Sequence, residues 1–329
     1  MVTKVPLSEN PKGITIYAVL WPLTGVAGIF LALRIYSKTF RRRALWWDDY
    51  FIIFSWIMLL LSCCTTSTNV LLGFGLRAPQ IPPENFSVFW IISNISGFSS
   101  VISVACSKTS FAITLLRLCG PNTWMRWTIY GLLALLNITH YLSAIFFWVS
   151  CDPVEKTYRP EIAGECWPVK FTINFSIFVG SCSAFCDFAL ALLPWRLLLR
   201  YNMYNREKIG VAIAMSMGIF AGITCIVKLT TVKVLEEGDF SYNSLPLVLW
   251  GFIEPACTIM AASIPMLRHL FKNFRHASDL DDSAREHSRS PSPTGAAGEE
   301  HAYARRELRE ERFRPRHHHI VDHEQQKAG

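Results

Sequence analysis

The sequence predicts an all-α membrane protein, a bundle of seven transmembrane helices with its N-terminus outside and its C-terminus cytosolic. Three observations carry this expectation. Seven apolar stretches, at 14–36, 50–72, 86–116, 127–149, 171–198, 209–234 and 245–271, reach the roughly 20 residues that a helix needs to cross a bilayer. Of the 329 residues, 51% are hydrophobic and 17% charged, against about 25% charged in a soluble domain. The Lys and Arg residues gather on alternate connections between the stretches.

Residues 1–13 are polar and read as a short extracellular N-terminus. The first span lacks a small-x-small cleavage site, so it reads as an uncleaved helix. Lys38, Arg41, Arg42 and Arg43 follow it. Arg117 and Arg126 flank the connection after the third span, and Arg196, Arg200, Arg206 and Lys208 that after the fifth. Arg268, Lys272 and Arg275 follow at the end of the seventh. The other connections are poorer in basic residues, and one carries Glu236, Glu237 and Asp239. By the positive-inside rule the N-terminus lies outside. An odd number of spans puts the tail on the opposite side, so the two signals agree.

The second span opens on Trp46-Trp47-Asp48-Asp49-Tyr50. Tryptophans suit the membrane interface, and Asp48 and Asp49 suit a helix N-terminus with its free N–H groups and positive dipole end. Pairing with Arg41, Arg42 or Arg43 is the other reading. Gly73-Phe74-Gly75 closes this helix as a turn. Asn85-Phe86-Ser87 is a glycosylation sequon on the outer side, which makes Asn85 the candidate acceptor. Asn94, Asn137 and Asn174 fit the same pattern but fall inside spans, out of the enzyme's reach.

Cys151 and Cys166 bracket the polar loop after the fourth span, on the side where disulfides persist. A bridge between them is expected to pin that loop over the bundle mouth, at about 3 kcal/mol by loop-closure entropy. Cys63, Cys64, Cys106, Cys182, Cys186, Cys225 and Cys257 lie in apolar spans and read as small hydrophobes. Cys182 and Cys186 share a helix face without partner ligands, so no metal site is expected.

Four ionisable residues fall at bilayer depth: Lys108, Asp187, Lys228 and Glu254. Such groups are costly there and are usually paired or functional. At about 1.5 Å per residue, Lys108 and Asp187 each sit about 13 Å above the cytosolic surface. Lys228 sits about 8 Å and Glu254 about 13 Å below the outer one. Two pairs at two depths are therefore expected, Lys108–Asp187 and Lys228–Glu254, with snorkelling to the outer interface as the alternative for Lys228. They either fix how the helices dock or handle a ligand, ion or proton.

From residue 272 to 329 the composition becomes charged and poor in apolar residues, which predicts a disordered cytosolic tail. Ser290 and Ser292 precede prolines there and are phosphorylation candidates. His317, His318, His319 and His323 read as a low-complexity end. The net charge of +7 is explained by basic residues beside helix ends, where they meet anionic lipid. With no zinc-finger spacing or aromatic-basic strip, nucleic acid is not an expected partner.

Together these pieces resemble the fungal rhodopsin-domain family of seven-helix integral membrane proteins. The carriers are Asp48-Asp49-Tyr50, Gly73-Phe74-Gly75, Lys108-Thr109-Ser110 with Leu116-Arg117, Cys151-Asp152-Pro153, Cys166-Trp167, Asp187 before Leu193-Pro194, Lys208, Lys228, and Trp250 with Glu254. Leu76 and Arg77 stand where a histidine often follows the glycine turn. The resemblance implies a receptor-like sensor of an external or metabolite cue, or a membrane protein encoded beside secondary-metabolite enzymes. It does not imply retinal: the seventh span has no lysine before Lys272, so no cofactor is expected. The expected partners are the lipid bilayer, a small-molecule or lipid ligand and a cytosolic signalling protein. The expected location is the plasma membrane or an endomembrane. A transporter or a membrane-bound accessory protein or enzyme of a metabolite pathway is the competing reading. The sequence offers no HExxH, GxSxG or phosphate-binding motif for the enzyme.

Overall fold

The computed structural model describes residues 5–6, 10–40, 46–77, 80, 82–118, 123–157, 162–200, 205–234 and 244–264. The expected tail from residue 272, with Ser290 and Ser292, lies outside the described residues, as do Arg41, Arg42 and Arg43.

The architecture is all-α. The helices are α1 (Pro11–Phe40), α2 (Trp47–Leu72), α3 (Phe86–Leu118), α4 (Thr123–Phe146), α5 (Val169–Arg200) and α6 (Asn205–Val234). A seventh, α7, runs over Leu245–Ile264. Among the described residues, six of these are long and apolar enough to cross a membrane. The exception is α6, whose described apolar stretch is Gly218–Val232. Trp127, Ile138, Ile145, Phe178 and Phe185 are exposed along the helix flanks, as side chains facing hydrocarbon would be.

Asn10 starts α1. Its Oδ1 accepts from Gly13 N at 2.9 Å, and its Nδ2 donates to Phe74 O at 2.7 Å. The first helix is thereby tied to the turn that ends the second. That turn needs glycine: Gly73 and Gly75 have φ of 115° and 98°, a region that other L-residues avoid. Gly73 N also bonds back to Val70 O at 3.2 Å and Phe74 N to Asn69 O at 2.9 Å, which satisfies carbonyls at the helix end.

A ladder of small polar side chains joins α2 to α3. Ser55 Oγ donates to Ser103 O at 2.8 Å, and Ser103 Oγ returns the bond to Ser55 O at 2.9 Å. One level up, Thr66 and Ser96 hydroxyls meet at 2.6 Å, and Asn69 lies 2.8 Å from Ser93 Oγ. Small residues let two backbones approach closely, and in lipid each hydroxyl needs a protein partner. α3 is thereby drawn to the middle of the bundle, where every residue from 102 to 110 is buried. On its far side Asn137 Nδ2 donates to Thr109 Oγ1 at 3.0 Å, which brings in α4. Ile16 and Leu20 of α1, Ile52 and Leu59 of α2, and Phe252, Ala256 and Ile259 of α7 form one apolar cluster. Met125, Ile129 and Leu136 of α4 pack with Cys186 and Leu190 of α5 in another.

α4 ends at Phe146, where the sequence alone suggested 149. The chain turns there, with Trp148 N bonding to Ile145 O at 2.9 Å. It continues into a two-stranded antiparallel ribbon, β1 (Cys151–Asp152) and β2 (Glu165–Cys166), with Cys151 opposite Cys166. These two cysteines are joined in a disulfide. Phe146, Trp167, Phe171 and Phe175 cluster beneath the ribbon, with Trp167 4.9 Å from Phe146 and 5.0 Å from Phe171 between ring centroids.

The structure places Asn85, the candidate glycan acceptor, in a buried position. It closes the short 3-10 turn Pro83–Asn85 and is 0% exposed, with Nδ2 donating to Leu72 O at 3.5 Å. The turn folds the side chain back against the end of α2, so a glycan on that nitrogen would require the turn to open. Endoglycosidase treatment of the expressed protein should leave its mobility unchanged, and Asn85→Gln should likewise cause no mass shift on a gel. Cys151→Ser should lower stability by about 2–4 kcal/mol, read as an earlier loss of helical circular dichroism on heating in detergent.

Candidate functional site

Two clusters of buried charge lie inside the bundle. The first gathers α3, α5, α6 and α7 around the Lys108 ammonium, which is 1% exposed. Lys108 Nζ lies 2.8 Å from Asp187 Oδ2 and 2.6 Å from Glu254 Oε1. It donates to Ser183 Oγ at 2.5 Å. Ser183 Oγ in turn donates to Glu254 Oε1 at 3.2 Å. Cys225 Sγ approaches Asp187 Oδ2 at 3.5 Å. Lys228 Nζ reaches the other oxygen of Glu254, Oε2, at 3.5 Å, and its side chain is 30% exposed.

Helical spacing builds this arrangement. Ser183 and Asp187 are four residues apart on α5, and Cys225 and Lys228 three apart on α6, so each pair shares a face. Two ammonium groups face two carboxylates, and the formal charge balances. Taking an unpaired ion out of water costs several kcal/mol even after relaxation. A balanced, hydrogen-bonded set is the form in which such ions persist at this depth.

The four intramembrane charges, expected as two separate pairs at two depths, form one connected network. Lys108 contacts Asp187, as the depth count suggested, and also holds Glu254. Lys228 reaches inward to Glu254. Ser183 was not singled out from sequence and Cys225 was read as a small hydrophobe, although their i,i+4 and i,i+3 spacing to Asp187 and Lys228 was there to be read.

The second cluster sits at the opposite end of α3 from the disulfide. Arg34 Nη2 lies 2.5 Å from Asp48 Oδ2 and Arg34 Nε 3.1 Å from Asp49 Oδ1. Lys38 Nζ is 2.5 Å from Asp49 Oδ2. Arg117 Nη2 is 2.8 Å from Asp48 Oδ1, and its guanidinium carbon is 4.5 Å from the Trp46 ring centroid. Ser110 Oγ donates to Asp48 O at 2.6 Å, and Arg34 Nη1 donates to Ala262 O. Asp49 also accepts from Trp46 N at 3.1 Å, so it caps α2 and pairs with cations together. Tyr50, the third residue of this entry motif, is exposed. Among the described residues the basic partners are Arg34, Lys38 and Arg117; Arg41, Arg42 and Arg43, the partners considered from sequence, lie outside the described residues. α1 continues to Phe40, and that puts Arg34 and Lys38, one turn apart, against the start of α2.

Chemically, these clusters hold and redistribute charge. Asp187, Cys225 and Glu254 offer ligand atoms within 4.8 Å of one another. The Lys108 ammonium already occupies the cation position among them, however, so a metal would have to displace it. A cavity of about 20 Å³ adjoins Lys108 and Asp187 on the Arg117 side, between Phe111, Leu190, Ala221 and Thr258. That is room for about one water.

The family model for the fungal rhodopsin domain matches residues 33–273, which include both clusters. The chain is 28% identical over 208 residues to "Fugralins biosynthesis cluster protein 2" of Gibberella zeae, covering 60% of this chain and 49% of that protein. It is 24% identical over 201 residues to "Receptor GIN3" of Arthrobotrys oligospora, covering 57% of this chain and 44% of that one. The chain thus spans about half the length of the curated relatives it matches. No solved structure matches.

Lys108→Met leaves two carboxylates buried without their shared cation, and should cost about 3–5 kcal/mol in thermal unfolding of the detergent-solubilised protein. Arg117→Ala, whose partner Asp48 keeps Arg34 and Lys38, should cost about 1 kcal/mol in the same measurement.

Proposed function

The chain belongs to the fungal rhodopsin domain family, and from that premise we propose that this multi-pass membrane protein is a receptor-like sensor of an external or metabolite cue. In this reading the disulfide-pinned ribbon faces outside and the Arg34–Asp48–Arg117 cluster faces the cytosol. Residues 14–271 form the membrane domain, and residues 272–329 extend into the cytosol. Ser290 and Ser292 are its candidate phosphorylation sites. The plasma membrane is the proposed location, and the partners are a small-molecule or lipid ligand and a cytosolic signalling protein.

One observation carries the reading: α3 and α7 each take part in both charge clusters. α3 supplies Lys108 to the first, and Ser110 and Arg117 to the second. α7 supplies Glu254 to the first, and the Ala262 carbonyl that Arg34 holds to the second. A ligand that changes the partners of Glu254 biases the relative position of these two helices. The second cluster, which grips both, then reports the change. A ligand shifts such an equilibrium by its differential affinity for the two arrangements, and an exchanged ion pair supplies such a difference.

The second reading is a transporter or an accessory protein of a secondary-metabolite pathway. The relative whose printed name places it in a biosynthesis cluster favours it. Deletion of the coding sequence, followed by parallel profiling of signalling and metabolites, separates the two. A sensor predicts an altered signalling response to an external cue, restored by the parent chain but not by Glu254→Gln at equal membrane abundance. Unchanged responses to every cue, with a lost or retained metabolite, would favour the second reading.

A further inference from the structure

The cluster at the start of α2 carries more positive than negative charge. Around Lys108 two ammonium groups face two carboxylates, but here three cations, Arg34, Lys38 and Arg117, share Asp48 and Asp49. Asp48 and Asp49 are the only carboxylates in the sequence of helices α1 to α4, and the connection 41–45 contains none. Arg34 and Lys38 are buried, whereas the Arg117 side chain is 34% exposed. Arg117 is also the least committed of the three. Its Nη2 lies 2.8 Å from Asp48 Oδ1, yet that oxygen has no hydrogen-bond partner among the described residues. A guanidinium carries five N–H donors, and this contact uses none of them in an aligned bond.

Arg117 stands at the end of a seam between α2 and α4. Both helices pack on α3 and scarcely on each other. Along the seam, Ile102 and Cys106 of α3 pack with Phe51 and Met58 of α2 and Ala144 of α4. Arg117 follows Ile102 and Cys106 at i+15 and i+11, on the same face of the helix. It therefore continues that line to the end of the bundle, one residue before α3 closes at Leu118. From the α2 side comes Trp46, whose ring centroid is 4.5 Å from the guanidinium carbon. The α4 side follows from the register. Asn137 bonds to Thr109 at 3.0 Å and the two helices run antiparallel. Arg117, eight residues after Thr109, is thus level with Ile129 and Tyr130, eight and seven before Asn137. Arg126 and Tyr130 share the flank of α4 that carries Asn137, and both are exposed. Trp47 and Trp127 are exposed at the same end, as aromatic rings at a membrane–water interface are.

We propose that the end of this seam binds one anionic glycerophospholipid, with its phosphate held by Arg117 and Arg126 and its acyl chains along the lipid-facing flanks of α2 and α4. Arginine forks match phosphate oxygens, and the Trp46 and Tyr130 rings suit the headgroup level. A lipid of net negative charge offsets the surplus cation. A zwitterionic headgroup brings its own ammonium and restores the surplus. Arg117 can turn to the phosphate without stranding a buried carboxylate, because Asp48 keeps Arg34 at 2.5 Å and Lys38 at 3.3 Å. The site stands apart from the sensor reading, since a transporter would carry it equally.

The experiment uses the full chain in maltoside detergent, with dioleoylphosphatidylglycerol or dioleoylphosphatidylcholine added and bound lipid counted by native mass spectrometry. The expected result is one phosphatidylglycerol held about tenfold more tightly than phosphatidylcholine, without competition from millimolar inorganic phosphate. Arg117→Gln should weaken phosphatidylglycerol binding about tenfold and leave phosphatidylcholine unchanged. Arg126→Gln, at an exposed position, should weaken it about fivefold. Lys170→Gln removes an exposed cation at the ribbon end and should change nothing. Equal affinity for the two lipids, an equal loss in Lys170→Gln, or displacement by inorganic phosphate would overturn the proposal. So would unchanged binding in Arg117→Gln or, where that variant does not fold, in Arg126→Gln.

Discussion

One ammonium group shared by two carboxylates organises this bundle. Lys108 on α3 is held between Asp187 on α5 and Glu254 on α7, at 2.8 and 2.6 Å. In a hydrocarbon surround each ion would be too costly alone, so the three must meet. Their meeting fixes the rotation of three helices about their axes and their relative depth. The serine ladder between α2 and α3 then places the first two helices, since Asn10 ties α1 to the end of α2. Apolar packing fills the remaining space, but apolar side chains have little preference between a helix and lipid. The polar contacts therefore decide the register.

The same charges give the molecule a way to change state. Glu254 offers one oxygen to the tightly enclosed Lys108 and the other to the half-exposed Lys228. The first contact is short and enclosed, and the second is longer and more open. At the other end of α3 and α7, Arg34 joins Asp48 and Asp49 to the Ala262 carbonyl, and Arg117 holds Asp48. α7, which carries Glu254, and α3, which holds it through Lys108, thus also take part in the second cluster.

Much of this was legible in the sequence. Apolar length marked the spans, and the glycine pair marked the turn after α2. Lys108, Asp187, Lys228 and Glu254 stood out as ions among apolar residues. The connection between Lys108 and Glu254 was missed for a geometric reason. One depth was counted from the cytosolic surface and the other from the outer one. Two depths of about 13 Å from opposite sides of a core about 30 Å thick lie within about 4 Å of each other, which a lysine spans. Lys38 was missed because basic residues near a helix end were assigned to topology, and Arg34, inside the first span, was not singled out. Only the three-dimensional position of α1 turns them toward Asp48 and Asp49.

The most direct measurement of the central interaction is a double-mutant cycle on Lys108→Met and Glu254→Gln, read as unfolding free energy in detergent. If the shared ammonium organises the bundle, the two changes are non-additive, with a coupling of about 1–3 kcal/mol and a double variant less damaged than the sum of the singles. Effects that add to within about 0.5 kcal/mol would contradict it, and would mean that Lys108 and Glu254 are buried near each other without depending on each other.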